Sequence, residues 1–110
     1  MTKITIKKYD DIKEITCTGH AGYAPLGEDI VCAGISTLIY AWHNYLCDKE
    51  KIFFLEDIFD EEKGYVKITV KDPQNLANEA FLMLITGLKN IENIYENYLK
   101  IDVVWDEMKN

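Results

Sequence analysis

The chain has 110 residues, 48% of them hydrophobic and 12% aromatic, which is enough for one small domain with its own core and too much for an intrinsically disordered chain. Nineteen acidic against twelve basic residues give a formal charge of -7, which repels a phosphate backbone, argues against direct nucleic-acid binding and suits a basic partner. No apolar run approaches the roughly 20 residues of a membrane span, and Met1 to Lys8 lacks a signal-peptide core, so the expectation is a cytoplasmic protein without membrane contact. Cys17, Cys32 and Cys47 cannot all pair within the chain, so at least one thiol is free.

Ile4 and Ile6 alternate with Lys3, Thr5 and Lys7, and Ile15 and Cys17 alternate with Glu14, Thr16 and Thr18, giving two strands joined by a turn at Tyr9-Asp10-Asp11. From Gly19 to Asp29 the period lapses into loop chemistry with Gly19, Gly22, Pro25 and Gly27. Val31, Ile35, Leu38, Trp42, Tyr45 and Leu46 then recur at helical spacing. Ile30, Ala33, Ile39 and Ala41 widen that stripe, which predicts a largely buried helix ending at a packed Cys47.

Ile52 to Phe59, a turn at Asp60-Glu61-Glu62-Lys63-Gly64, and Tyr65 to Lys71 read as a second hairpin, with Val66, Ile68 and Val70 on one face. Asp72-Pro73 is a helix-start signal, and Ala77, Phe81, Leu84, Leu88, Ile91, Tyr95 and Tyr98 keep helical period beyond it. Gly87 within that helix costs about 1 kcal/mol against Ala. Ile101, Val103 and Trp105 alternate in a last strand, where apolar Val104 predicts cover on both faces near the sheet centre. The order ββαββαβ predicts an α+β domain: a mostly antiparallel sheet packed against two helices.

Thr18-Gly19-His20-Ala21-Gly22, followed by Gly27-Glu28-Asp29-Ile30-Val31-Cys32-Ala33-Gly34-Ile35-Ser36, concentrates the reactive side chains. A helix starting near Glu28 or Asp29 puts Cys32 in its first turn, where free amides and the helix dipole favour a thiolate. His20, just past the second strand, is the candidate base. His43 lies eleven residues past Cys32, roughly 16 Å along the helix axis, too far to serve it. Asp29 and Ser36, one turn to either side of Cys32, are candidates to orient the imidazole or a substrate.

Each residue also has a plainer reading. Cys32 reads as a core cysteine, His20 as a loop residue bonded to backbone, Asp29 as a helix cap and Ser36 as a small helix residue. Cys17 and Cys47 read as packing residues. A zinc site from Cys17, His20 and Cys32 would need an acid such as Asp29 as fourth ligand and has no Cys-x-x-Cys element, so neither a metal nor a cofactor is expected. The acidic run Glu56-Asp57 to Asp60-Glu61-Glu62 reads as a solvated hairpin, or as an attraction for a basic chain.

Through Gly19-His20-Ala21, Asp29-Ile30-Val31-Cys32-Ala33 and Ser36, and over essentially its whole length, the chain resembles the bacterial ribosomal-processing cysteine proteases called Prp, formerly the YsxB-like proteins. Gly34 is the departure, where an alanine is frequent. The resemblance implies His20 as catalytic histidine and Cys32 as nucleophile, with Gly19, Asp29 and Ser36 at further characteristic positions. It implies a homodimeric endopeptidase that removes the N-terminal extension of ribosomal large-subunit protein twenty-seven after an aromatic residue, a step needed for ribosome assembly. It also implies a mobile loop over the site, which suits residues 21 to 27. The competing class is a non-catalytic, ribosome-associated binding module.

Overall fold

The computed structural model describes residues 1–25 and 28–106. Strands β1 (Thr2–Tyr9), β2 (Ile12–Thr18), β3 (Phe53–Asp60), β4 (Tyr65–Lys71) and β5 (Leu99–Asp106) form one sheet in the order β3-β4-β2-β1-β5. Helices α1 (Ile30–Cys47) and α2 (Asn78–Ile94) interrupt them in the predicted ββαββαβ order. Neighbouring strands run antiparallel except β1 and β5, which are parallel.

Alternation along the strands sends Ile4, Ile6, Ile15, Ile68 and Val70 to the side where α1 and α2 contribute Val31, Ile35, Phe81 and Leu88 to a single core. Full burial of such a side chain stabilises the fold by about 1.5–3 kcal/mol. The helices approach closely because two glycines face large side chains. A Cβ on Gly87 would stand 2.9 Å from Leu38 Cδ1, and one on Gly34 would stand 3.3 Å from Ile91 Cδ1. The propensity cost at Gly87 therefore has a packing reason.

Four expectations need correction. Strand β5 lies at an edge of the sheet, and Val104 is 51% exposed, because among the described residues only β1 flanks that strand and Val104 points away from the helices. Helix α1 is not largely buried: Val31, Ile35, Ile39, Trp42 and Leu46 form one stripe, while Ile30, Tyr40 and Tyr45 are exposed. Its composition would suffice for a membrane span, with a mean hydropathy of 1.2 over 18 residues, but its apolar stripe is spent on the core. Cys47, at the last position of α1, is exposed rather than packed.

The fourth correction concerns α2, which begins at Asn78 and ends at Ile94, inside the predicted limits at both ends. Asp72 caps a preceding turn instead. Its carboxylate accepts the N–H groups of Leu76 and Ala77 at 2.9 and 2.8 Å and the buried Lys13 Nζ at 2.9 Å. Lys13 also donates to Asn75 Oδ1 at 2.8 Å. Beyond the helix, Tyr95 and Tyr98 turn their rings edge-on to Tyr23, with centroids 5.5 and 5.2 Å apart.

Candidate active site

Past the end of β2 the chain turns at Gly19, with φ of +86°, and a Cβ there would stand 2.6 Å from Met1 O, so only glycine fits. The Gly19 N–H donates to Gly64 O at 2.8 Å, which ties this turn to the β3–β4 turn. Antiparallel pairing of β2 with β4, with Thr18 opposite Tyr65, brings the two turns together. His20 is thereby presented, exposed, beside Gly64: a Cβ on Gly64 would lie 2.9 Å from His20 Nε2.

The second half of the site is the start of α1. Asp29 is its N-cap, in extended conformation, and accepts the Cys32 N–H on Oδ1 at 2.9 Å and the Tyr23 N–H on Oδ2 at 3.1 Å. Burial alone would raise the Asp29 carboxyl pKa, but the backbone amides of Cys32, Tyr23, Ala24 and Val31 hold it below the ordinary carboxyl value. Cys32 is half-buried in the first turn, where the helix field acts on it.

His20 and Cys32 line the same cleft, about 260 Å³ in volume, together with Gly19 and Ser36. Cys17 lines it too, and burial, followed by the charge of Cys32, pushes its thiol up to about 11, so it stays protonated at neutral pH. The far wall comes from the second hairpin: Phe59, Asp60, Glu61, Gly64 and Tyr65. Tyr40 of α1 stacks on Phe59 at 5.0 Å, and its hydroxyl lies 3.5 Å from Glu61 Oε1.

Of the five candidate residues, the cleft gathers Gly19, His20, Cys32 and Ser36, whereas Asp29 is the cap that fixes where α1 begins. The two Asp29 oxygens accept the amides of Cys32 and Tyr23, and Asp29 does not line the cleft shared by Cys17, His20 and Cys32. Among the described residues no group of three or more His, Cys, Asp or Glu is arranged to hold a metal.

The expected anion-stabilising amides near Cys32 are also engaged, since the Cys32 N–H goes to Asp29 Oδ1 and the Ala33 N–H to Asp29 O. His43 does not reach the cleft and instead contacts Asp57. Of the proposed mobile loop, Tyr23 is anchored on Asp29, Tyr95 and Tyr98, while Leu26 and Gly27 lie outside the described residues.

Gly64, Tyr40, Phe59, Asp60 and Glu61 were not singled out by sequence reasoning as site residues. The acidic hairpin turn carries the only prior signal, and its placement depends on the register of β4 against β2.

The sequence model of the family described as "Cysteine protease Prp" matches residues 1–100. A protein of Staphylococcus aureus named ribosomal processing cysteine protease Prp is 32% identical over 98 residues, covering 86% of this chain and 87% of the relative. Its namesake in Mycoplasma genitalium is 36% identical over 93 residues, covering 80% and 85%. The crystal structure of an essential ribosomal processing protease Prp from S. aureus, with a covalently linked product peptide, superposes with a TM-score of 0.83 at 24% identity, covering 94% of this chain and 99% of that one. At that identity the superposition speaks for the fold.

Proposed function

The chain belongs to the cysteine protease Prp family, and on that footing we propose that it removes the N-terminal extension of ribosomal large-subunit protein twenty-seven, using Cys32 as nucleophile and His20 as general acid and base. The observation that carries this reading is that His20, from the end of β2, and Cys32, from the first turn of α1, line one cleft. Curated relatives named for ribosomal processing supply the substrate class.

In this mechanism His20 takes the Cys32 proton, the thiolate attacks the scissile carbonyl, and His20 returns the proton to the leaving amine. Water then releases the acyl group from Cys32, with His20 acting as base. The field at the start of α1 favours the negative charge that develops on the carbonyl oxygen during attack. Because Asp29 holds the Cys32 amide, donors to the oxyanion come from other groups at the cleft, and Ser36 is the side-chain hydroxyl placed one turn from Cys32 to serve or to orient substrate.

Gly19 and Gly64 act by placing His20, and Asp29 by fixing the helix start. The carboxylates of Asp60 and Glu61 on the cleft wall suit a basic ribosomal protein. The reading further includes a cytoplasmic homodimer that acts on the protein before ribosome assembly and needs neither a cofactor nor nucleic acid. Incubating the enzyme with the unprocessed ribosomal protein and following intact mass tests the substrate. Loss of one N-terminal fragment, cut after an aromatic residue, is expected. A protein that is bound but never shortened would favour the non-catalytic module and overturn proteolysis.

A further inference from the structure

The far end of α1 carries a cysteine and a histidine that do not line the cleft. His43 and Cys47 lie one turn apart on α1, and Cys47 Sγ is 3.7 Å from His43 Nδ1. The other ring nitrogen, Nε2, is 2.9 Å from Oδ1 of Asp57 on β3. Phe54 and Phe59 pack against the imidazole with centroids 5.0 and 5.3 Å away, so the ring is fixed while Cys47 itself is exposed.

Thiol, imidazole and carboxylate in hydrogen-bonded sequence is the arrangement that activates a cysteine. The carboxylate accepts Nε2–H and so sets the tautomer that turns the Nδ1 lone pair to the thiol. Asn44 Oδ1, 3.1 Å from Nδ1, accepts from that nitrogen once it holds the thiol proton, so the ring is satisfied at both nitrogens after proton transfer.

We propose that Cys47 is a second reactive thiol, assisted by His43 and positioned through Asp57, which exchanges with small disulfides to form a mixed disulfide on the protein surface. The Cys47 proton passes to His43 Nδ1, and Sγ attacks one sulfur of the small disulfide. The S–S bond of that disulfide breaks as a new S–S bond forms to Cys47. The departing thiolate takes the proton back from His43 and leaves as one equivalent of thiol. Cys47 is oxidised and the small disulfide is reduced.

The test uses 2-hydroxyethyl disulfide, which is uncharged, on full-length protein carrying Cys32→Ser, so that neither proteolysis nor the cleft thiol enters the readout. A single adduct mapped by mass spectrometry to Cys47 is expected, formed at least about tenfold more slowly in the added Asp57→Asn and His43→Gln variants, the scale of a general-base contribution. Equal rates in all three proteins would overturn the proposal. So would a Cys47 rate no higher than that of an unstructured peptide spanning residues 40–50, a comparison that holds even if a variant misfolds.

Discussion

Gly64 stands against the imidazole of His20 so closely that a methyl group on its α-carbon would lie 2.9 Å from Nε2, and equally close to Gly19 O. The two residues are 44 positions apart, joined by the β2–β4 ladder and the Gly19–Gly64 backbone hydrogen bond. A glycine in the β3–β4 turn therefore sets the room available to the proposed base.

Gly64→Ala is expected to lower kcat/KM for peptide cleavage at least about tenfold, because a displacement of about 1 Å at a reacting group costs up to two orders of magnitude. A φ of +59° costs alanine about 1–2 kcal/mol, so the fold should survive with a lower melting temperature. Steady-state kinetics beside a thermal melt check this, and wild-type turnover in the variant would contradict it.

Asp72 is expected to make the fold acid-sensitive. Burial pushes its carboxyl pKa up, but the amides of Ala77 and Leu76 and the Lys13 ammonium outweigh burial and hold it below the ordinary 3.8. With a depressed folded-state value, its contribution is fully present above 3.8 and is lost as the pH falls through that lower value, where the unfolded chain takes up the proton first. Asp72→Asn should cost about 3–5 kcal/mol at neutral pH by leaving the Lys13 ammonium buried and unpaired, and should flatten the stability loss in acid. Urea melts across that range measure both effects.

Gly87→Ala should fail to deliver the roughly 1 kcal/mol that helix propensity offers, because the new methyl meets Leu38 at 2.9 Å. In a Leu38→Ala background the same change should recover that gain. A double-mutant cycle of denaturant melts reads the difference, and simple additivity would rule out the contact.

Cys17 is expected to resist alkylation in the native protein at neutral pH. Burial, with the neighbouring charge of Cys32 behind it, pushes its thiol up to about 11. Peptide mapping after brief iodoacetamide treatment should find label on Cys32 and Cys47, and label on native Cys17 would refute the packing.

Strand and helix identities were legible because period-2 and period-3.6 patterns report which face of an element is apolar. Gly19, His20, Cys32 and Ser36 were legible because they flank one irregular loop and the helix start that follows it. What periodicity does not report is partnership. Val104 is apolar and reads as central, yet among the described residues β5 has a neighbour on one side only.

Asp72-Pro73 reads as a helix start, but α2 begins at Asn78, and the Asp72 carboxylate caps the turn before it while also accepting from the buried Lys13 of β2. Cys47 continues the apolar composition of α1 but falls off its buried stripe. Gly64 belongs to the site only through the β2–β4 register, and no local pattern carries that information.

The central claim is that Cys32 performs the cleavage with His20 as its proton carrier. Mass spectrometry of a peptide spanning the N-terminal extension, after incubation with wild type, Cys32→Ser and His20→Gln proteins, tests it most directly. The account predicts one cut, after an aromatic residue, by wild type alone. Equal cleavage by the Cys32→Ser protein would contradict it.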